Sequence, residues 1–295
     1  MPSPSLQREA PQTLVIPCGR RRLIYRGRPL VMGILNVTPD SFSDGGAFLD
    51  PSAAVERGVE LAAEGADIID VGGESTRPGA QSVSCREELQ RTIPVVERLL
   101  RMVRIPVSID TTKAEVARRA IEVGASLVND VSALRADRGM AGLVARSQVA
   151  VILMHMAGTP RTMQRRPSYH HVVEEVAAFL SRAARRATRS GIEPSRILLD
   201  PGLGFGKTLG HNLELMGSLS ALTALGHPVV VGPSRKSFIG KTLKTPIEER
   251  LAGTLACVAQ ACQGGVHVVR VHDVRPAVQL IRMLEAIHAQ GASGR

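Results

Sequence analysis

The sequence predicts an α/β fold, and within that class a (β/α)8 TIM barrel with a short N-terminal β-hairpin. Eight short runs rich in Val, Ile and Leu alternate with helical segments along the 295 residues. The runs are apolar almost throughout, as are parallel strands that are buried on both faces. A doubly wound open sheet is the alternative, but eight strands alternating with helices in a chain of this length favour the closed barrel.

The boundaries of the eight runs are typical of repeated βα units. The runs are VMGILN (31–36), DIIDVGG (67–73), IPVSID (105–110), SLVNDV (126–131), VAVILMH (149–155), RILLDPG (196–202), HPVVVG (227–232) and VHVVRVH (266–272). Several follow a Gly at the position where a helix C-terminus takes the left-handed conformation. Asp50-Pro51 indicates an N-cap followed by Pro at the first helical position. TLVIPCGRRRLIY (13–25) predicts a β-hairpin that closes the barrel bottom.

We interpret residues 13–290 as a single domain, residues 1–12 as a disordered N-terminal tail and residues 291–295 as a C-terminal tail. The start lacks the apolar region of a secretory signal, and no apolar run is long enough to span a membrane. We therefore expect a cytoplasmic protein with no membrane partner. The four cysteines form no CxxC pair, so we expect reduced thiols that bind no metal.

The formal net charge of +10 suggests either a nucleic-acid partner or small anionic substrates. Aromatic residues make up only 2% of the chain and Trp is absent, so few side chains could stack on bases. The sequence also contains no recognisable nucleic-acid-binding module. These observations favour small anionic substrates and no nucleic-acid partner.

Each predicted strand ends in polar or charged residues. In chain order these are Asn36, Glu74, Asp110, Asn129 with Asp130, His155, Asp200, Ser234 to Lys236, and Arg270 with His272. In a barrel the carboxyl ends of all strands meet at one rim, where active sites lie. Asp and Asn at single positions could instead cap the next helix or begin a turn. Capping does not explain eight polar ends that also alternate in charge, so we expect a binding site at this rim.

The stretch LDPGLGFGKT (199–208) has the glycines and the Lys-Thr pair of a phosphate-binding loop. A Walker A loop requires Gly five residues before the Gly of Gly-Lys, and that position is Pro201. Proline also lacks the backbone N–H that a phosphate cradle would use. We therefore expect the glycines to keep side chains away from the rim, so that a flat ligand can lie beside Asp200.

Motifs at the strand ends and in the following loops resemble those of the dihydropteroate synthases of folate biosynthesis. They are GILNVTPDSFSDGG (33–46), DVGGESTRPGA (70–80), SIDT (108–111), VNDVSAL (128–134), MHMAGTPRTMQ (154–164), DPGLGFGKT (200–208), GPSRKSFIG (232–240) and RVHDV (270–274). The resemblance runs from about residue 30 to the C-terminal helix. It implies a (β/α)8 barrel, an enzyme of the class that sulfonamide drugs target, Mg²⁺ as cofactor and a homodimer. The implied reaction is a transfer that joins (7,8-dihydropterin-6-yl)methyl diphosphate to 4-aminobenzoate and releases diphosphate.

The resemblance also implies roles for individual residues. Pterin binding falls to Asp110, Asn129, Val131, Met154, Asp200, Lys236 and Arg270. Aminobenzoate binding falls to Thr76, Arg77, Pro78, Phe205 and Ser234, and diphosphate binding to Asn36, Arg270 and His272. Asn36 would also ligate the metal, and the catalytic set is Asp110, Asp200, Lys236, Asp40 and Phe42, the last two closing over the site from a mobile loop.

Two alternatives remain open from the sequence. A related pterin-binding barrel transfers methyl groups from a methylated folate to a corrinoid, and it has no use for a diphosphate subsite. An inactive homologue that keeps the fold as a binding protein, associated with nucleic acid because of its charge, is the other. The complete set of loop motifs favours the synthase.

Overall fold

The computed structural model describes residues 13–38, 51–77 and 79–293. Its strands are β1 (Leu14–Cys18), β2 (Arg21–Tyr25), β3 (Leu30–Asn36), β4 (Ile68–Gly72), β5 (Val107–Asp110), β6 (Leu127–Asp130), β7 (Ala150–Met154), β8 (Ile197–Asp200), β9 (Val230–Val231) and β10 (Val268–Val271). Its α-helices are α1 (Pro51–Ala63), α2 (Cys85–Met102), α3 (Ala114–Glu122), α4 (Met140–Ser147), α5 (Val172–Arg189), α6 (Leu209–Gly217), α7 (Leu219–Thr223), α8 (Ser237–Leu243), α9 (Leu251–Gln263) and α10 (Val274–Ser293). Single 3₁₀ turns occur at Pro194–Arg196 and Ile247–Glu249.

Within the described ranges, β3 to β10 form one eight-stranded sheet with the order β8-β7-β6-β5-β4-β3-β10-β9. Every neighbouring pair in it is parallel. The two ends of the sheet meet where Leu199 bridges Val229, and the Leu199 N–H donates to the Pro228 carbonyl at 2.9 Å. The sheet is thus a barrel and not an open doubly wound sheet, which confirms the predicted fold class. β9 begins two residues after Pro228, which has no N–H to donate to a ladder.

The strands present alternate residues to the two sides of the barrel wall, as strand geometry requires. Residues such as Val31, Ile69 and Val128 face outward and form the larger core with the helices. Residues such as Met32 and Ile68 form a second, inner core with the hairpin residues Ile16, Cys18 and Leu23. The N-terminal hairpin therefore closes one end of the barrel with apolar side chains, as its sequence predicts.

The inward-facing positions change character along the strands. At the level of the hairpin they are apolar and fully buried, as in Ile68, Leu127, Leu198 and Val268. The next position of the same parity, two residues further along, is polar in each of these strands: Asp70, Asn129, Asp200 and Arg270. The barrel is thus sealed with hydrocarbon at its amino end and lined with polar groups at its carboxyl end.

The predicted N-terminal tail, residues 1–12, lies outside the described residues, so it stays a prediction. The last helix continues to Ser293, into the segment that the sequence suggested as a C-terminal tail. No helix in residues 13–38, 51–77 and 79–293 combines the length and the apolar character that a membrane crossing requires.

Candidate active site

Four polar side chains from β4, β5, β6 and β10 form a connected cluster at the carboxyl end of the barrel. Arg270 Nε donates to Asp70 Oδ2 at 2.6 Å, and its Nη2 donates to Asp110 Oδ2 at 2.8 Å. Asn129 Nδ2 donates to the same Asp70 oxygen at 2.9 Å. The strand register supports this convergence. Asp110 pairs with Asn129 on one side and with Gly72 on the other, and Gly72 shares the inward face of β4 with Asp70.

Asp70 is the central residue of this cluster, and the sequence reasoning did not select it. Its side chain is fully buried, and its Oδ1 has no hydrogen-bond partner among the described residues. The candidates taken from the sequence were residues at strand ends, and Asp70 lies two positions before the last residue of β4. The signal that could have found it is parity, since Asp70 shares the inward face with Ile68. It holds Arg270 and Asn129 in fixed orientations.

Burial and neighbouring charges shift the pKa values of two members of this cluster, Asp110 and Arg270. Burial raises the pKa of Asp110 to about 8; the carboxylates of Asp70, Glu88 and Asp130 act in the same direction, and Arg270 opposes them. Burial alone would lower the pKa of Arg270, but Asp70 and Asp110 raise it overall. Arg270 therefore keeps its charge, and its hydrogen bond to Asp110 favours the ionised carboxylate against the effect of burial.

A second group joins this cluster from β8 and from the segment before α8. Asp200 Oδ1 accepts from the Gly202 N–H at 2.6 Å, and burial raises the pKa of Asp200 against the charge of Lys236. Lys236 donates to the Leu203 carbonyl, and its Nζ lies 4.6 Å from the centroid of the Phe205 ring. Burial lowers the pKa of Lys236 to about 8, with Asp200 opposing and Arg270 adding to the shift. Asp200, Lys236 and Arg270 thus act on one another electrostatically.

An apolar surface borders the charged groups. Val131, Met154, Met156 and Met163 form a buried cluster, and Phe205 packs against it. Met154 pairs with Asp200 in the ladder between β7 and β8. Hydrocarbon and thioether groups beside fixed hydrogen-bonding groups are what a flat heterocycle with one polar edge requires.

Other predicted side chains lie around the same rim. Ser234 Oγ and the ring atom His272 Nδ1 are 3.0 Å apart, and the backbone N–H of His272 donates to Ser234 Oγ at 3.1 Å. Burial lowers the pKa of His272 to about 3, and Arg270, Arg235 and Arg77 add to this effect, so His272 is neutral at pH 7. Asn36 is the half-buried last residue of β3 and pairs with Gly72. Thr76 is half-buried and Arg77 is exposed in the loop after β4.

Three predicted residues fall outside the described part of the chain. Asp40 and Phe42 belong to residues 39–50, and Pro78 is the single gap in the second loop. Their roles stay predictions.

Some polar strand ends have structural roles instead. Asp130 accepts from the N–H groups of Ser132 and Leu134 at 2.7 and 3.0 Å, which makes it a turn residue. Glu74 accepts from the Val83 N–H at 3.2 Å, and Lys113 donates to Glu74 and to the fully buried Glu88. This ion cluster braces the loop that carries Thr76 and Arg77. The turn-forming alternative therefore describes Asp130 correctly, although it does not describe the rim as a whole.

The glycines of the LDPGLGFGKT stretch adopt positive φ angles and allow close approach of neighbouring groups. Gly202, Gly204 and Gly206 have φ values of +66°, +79° and +64°. A Cβ on Gly202 would lie 2.0 Å from the His155 carbonyl oxygen, and one on Gly206 would lie 2.8 Å from Ala157 Cβ. A Cβ on Gly204 would lie 3.1 Å from Lys236 Cδ, and one on Gly202 would also lie 3.1 Å from Met154 Cγ. The glycines thus permit close packing against the neighbouring loop, and Gly202 and Gly204 also keep side chains away from two predicted site residues.

The described residues show no ready-made metal centre. Across the part of the chain that the structure describes, no three His, Cys, Asp or Glu side chains are grouped so as to hold a metal ion. The cysteines Cys18, Cys85, Cys257 and Cys262 are all free.

Comparison with known proteins agrees with this geometry. A family model described as "Pterin binding enzyme" matches residues 32–272. The dihydropteroate synthase of Synechocystis is 45% identical over 273 residues, which cover 92% of this chain and 94% of the relative. A Xanthomonas albilineans dihydropteroate synthase solved with 4-aminobenzoic acid is 46% identical with a TM-score of 0.89, covering 94% of this chain and 99% of that one. The same enzyme in complex with 7,8-dihydropteroate is 43% identical with a TM-score of 0.84, covering 93% and 99%. The chain belongs to the pterin-binding enzymes, and among them to the dihydropteroate synthases.

Proposed function

We propose that the protein joins 4-aminobenzoate to (7,8-dihydropterin-6-yl)methyl diphosphate, giving 7,8-dihydropteroate and diphosphate. The observation that carries this proposal is the cluster of Asp70, Asp110, Asn129 and Arg270 beside the Asp200–Lys236 pair. The family and the ligands held by its solved relatives support the same reaction.

The polar cluster suits the 2-amino-4-oxo edge of a pterin, which presents several N–H donors close together. The Asp110 and Asp200 carboxyls would accept from these donors, and Asn129 would add an amide. Lys236 would donate to the ring acceptors. A guanidinium held at two points by Asp70 and Asp110 is fixed in one plane, so Arg270 could stack on the flat ring, a task that an ammonium cannot perform.

The chemistry is a displacement at the pterin methylene carbon. The C–O bond would break first, its electron pair leaving with diphosphate, and the remaining pterin cation would be stabilised by the carboxylates of Asp110 and Asp200. The amine of 4-aminobenzoate would then form the C–N bond and lose a proton to solvent. An aromatic amine is unprotonated at pH 7, so no general base is required. His272, neutral at pH 7, and His155 are not assigned as bases.

Departing diphosphate needs positive charge and hydrogen-bond donors, which Arg270 and the neutral His272 would supply. Asn36 offers one amide oxygen at the end of β3, and Mg²⁺ commonly takes few protein oxygens while keeping water and phosphate ligands. The donor set therefore fits Mg²⁺ at Asn36, where the ion would offset part of the diphosphate charge. Thr76, Arg77, Pro78, Phe205 and Ser234 would bind aminobenzoate, with Asp40 and Phe42 closing over the site.

The decisive experiment combines purified protein, Mg²⁺, the pterin diphosphate and 4-aminobenzoate. We expect diphosphate and 7,8-dihydropteroate to appear in equal amounts. A corrinoid methyltransferase would release neither, and an inactive homologue would bind pterin without turnover. Binding of pterin with no product under these conditions would reject the proposed function.

Sulfonamides are expected to inhibit competitively against 4-aminobenzoate, because their sulfonyl group mimics its carboxylate. Initial rates at several concentrations of both compounds test this expectation. The pterin diphosphate serves as the internal control, since saturating it should not relieve the inhibition. Inhibition that 4-aminobenzoate cannot overcome would remove Thr76, Arg77 and Ser234 from the aminobenzoate subsite.

A homodimer and a cytoplasmic location stay predictions. Neighbouring helices α6, α8 and α9, and the 3₁₀ turn at Ile247–Glu249, carry the exposed apolar side chains of Leu213, Leu243, Ile247 and Leu251. Exposed apolar groups on adjacent elements support self-association through this layer.

A further inference from the structure

Lys207 completes the Gly-Lys-Thr sequence that resembles a phosphate loop, yet its ammonium points into the protein. The residue is only 3% exposed. Its Nζ donates to the carbonyls of Gly202 and Phe205 at 2.9 and 3.1 Å and lies 2.9 Å from His155 Nδ1. Burial and the charge of Lys236 lower the pKa of Lys207 to about 7, and Asp200 opposes this shift. In the ammonium form these three contacts use all three N–H donors. The lysine therefore binds the loop's own backbone oxygens and is not available for phosphate.

His155 is suited to accept the third hydrogen bond. Burial lowers its pKa to about 3, and the charges of Lys207 and Arg135 add to that shift, so the ring is neutral. With Nδ1 accepting from Lys207, the hydrogen of the neutral imidazole resides on Nε2. The ring is held edge-on to Phe179 with centroids 4.8 Å apart and 85° between planes. His155 thus presents a fixed lone pair to the ammonium.

Other side chains bind the remaining carbonyls of the same loop. Leu203 accepts from Lys236, Gly204 from Gln164 Nε2 at 2.7 Å, and Gly206 from the Tyr169 hydroxyl at 2.9 Å. Asn212 Oδ1 accepts from the Gly204 N–H at 2.6 Å, and its Nδ2 donates to the Thr208 carbonyl at 2.6 Å. The loop is therefore held through its backbone, with Lys207 as the buried anchor that bonds two of its carbonyls at once.

The anchor is connected to the proposed substrate site through two neighbours. Phe205, whose carbonyl accepts from Lys207, packs on the Val131–Met154 cluster and lies against the Lys236 ammonium. Leu203, between the anchored Gly202 and Phe205, supplies the carbonyl that Lys236 uses. Displacing the backbone at Leu203 or Phe205 would move the Phe205 ring, which is assigned to aminobenzoate binding.

We propose that Lys207, held by His155, is a positioning residue that sets the Phe205 ring for 4-aminobenzoate. The inference rests on the proposed function, because Phe205 is assigned to that substrate there. Lys207 touches no substrate, and it acts only through the loop from Gly202 to Gly206.

The test compares Lys207→Met with Lys241→Met, which alters an exposed lysine on α8, in the full-length protein. Methionine keeps a long side chain but removes all three donors. We expect Lys207→Met to raise the KM for 4-aminobenzoate by about tenfold or more, because a displaced positioning group is costly even when remote from the chemistry. The affinity for a pterin lacking diphosphate, measured by calorimetry, should fall by a smaller factor than the KM rises. Asp110, Asn129 and Arg270 are bonded within the Asp70 cluster, away from this loop, whereas Asp200 and Lys236 of the pterin-binding set are bonded to it. Lys241→Met should match the wild type in both.

A second pair of variants covers the case in which Lys207→Met does not fold. In His155→Asn an amide oxygen can replace Nδ1 as acceptor, whereas His155→Leu leaves the ammonium without it. We expect the Leu variant to raise the KM for 4-aminobenzoate clearly more than the Asn variant. Circular dichroism melting and pterin binding report whether each protein is folded.

The outcomes separate this proposal from the function on which it rests. A wild-type protein that makes no dihydropteroate would reject the function itself. An active wild type combined with an unchanged KM in folded Lys207→Met, or equal KM values in the two His155 variants, would overturn the positioning role alone. A loss of pterin affinity as large as the rise in the KM for 4-aminobenzoate would also overturn it, since equal effects on both substrates indicate a general structural role.

Discussion

Arg270→Met should nearly abolish synthase activity and also destabilise the fold. The guanidinium joins Asp70 on β4 to Asp110 on β5, and Asp70 is fully buried. Removing one partner of a buried ion pair leaves an uncompensated charge, so we expect the free energy of unfolding to fall by about 3–5 kcal/mol. Activity should fall at least about 10³-fold, because a ring-stacking cation and the orientation of Asp110 are lost together. Urea unfolding and initial rates measure the two effects.

Two further variants identify the cause. Arg282→Met, on the exposed side of α10, should change neither quantity by a measurable amount. Adding Asp70→Leu to Arg270→Met should recover part of the lost stability, because it removes the carboxylate that was left unpaired. Activity should not recover with it. If the double variant is less stable than Arg270→Met, the buried pair is not the source of the loss.

The barrel and most of its rim could be predicted from the sequence because both follow from local rules. Apolar runs with glycines at helix ends predict parallel strands, and the carboxyl ends of parallel strands must share a rim. Asn129, Asp200 and Arg270 were therefore found as polar residues that end apolar runs. The hydrogen bond that Arg270 donates to Asp70, 200 residues away in the sequence, was not predicted, because it depends on how β10 closes against β3.

Lys207 shows a second limit of the local pattern. The Gly-Lys-Thr sequence is compatible with an ammonium that faces out to an anion or in to carbonyls, and only packing decides between them. His155 on a different strand end accepts from the lysine, and no short-range signal connects the two residues. The glycines had the same ambiguity, because a position without a side chain can make room for a ligand or for a neighbouring loop. At Gly202 the neighbour is the His155 carbonyl.

Asp200→Asn should lower kcat by about 10²- to 10³-fold, because it removes a carboxylate aimed at the developing pterin cation. The KM for 4-aminobenzoate should stay within about threefold, since the asparagine oxygen can still accept from the Gly202 N–H and hold the loop. Steady-state kinetics at saturating pterin diphosphate give both values. Asp67→Asn is the matched control: Asp67 accepts from the Val31 N–H at 2.8 Å at the opposite end of the barrel.

The pH dependence of the Asp200→Asn variant adds an independent check on this carboxylate. Burial raises the pKa of Asp200, so the wild-type group becomes protonated and neutral as the pH falls, as the amide is at every pH. The ratio of wild-type to variant kcat should therefore narrow on acidification. A ratio that stays constant while the wild-type protein remains folded would show that the charge of Asp200 does not act on the cation. Equal, small effects on kcat and KM at pH 8 would lead to the same conclusion by a separate route.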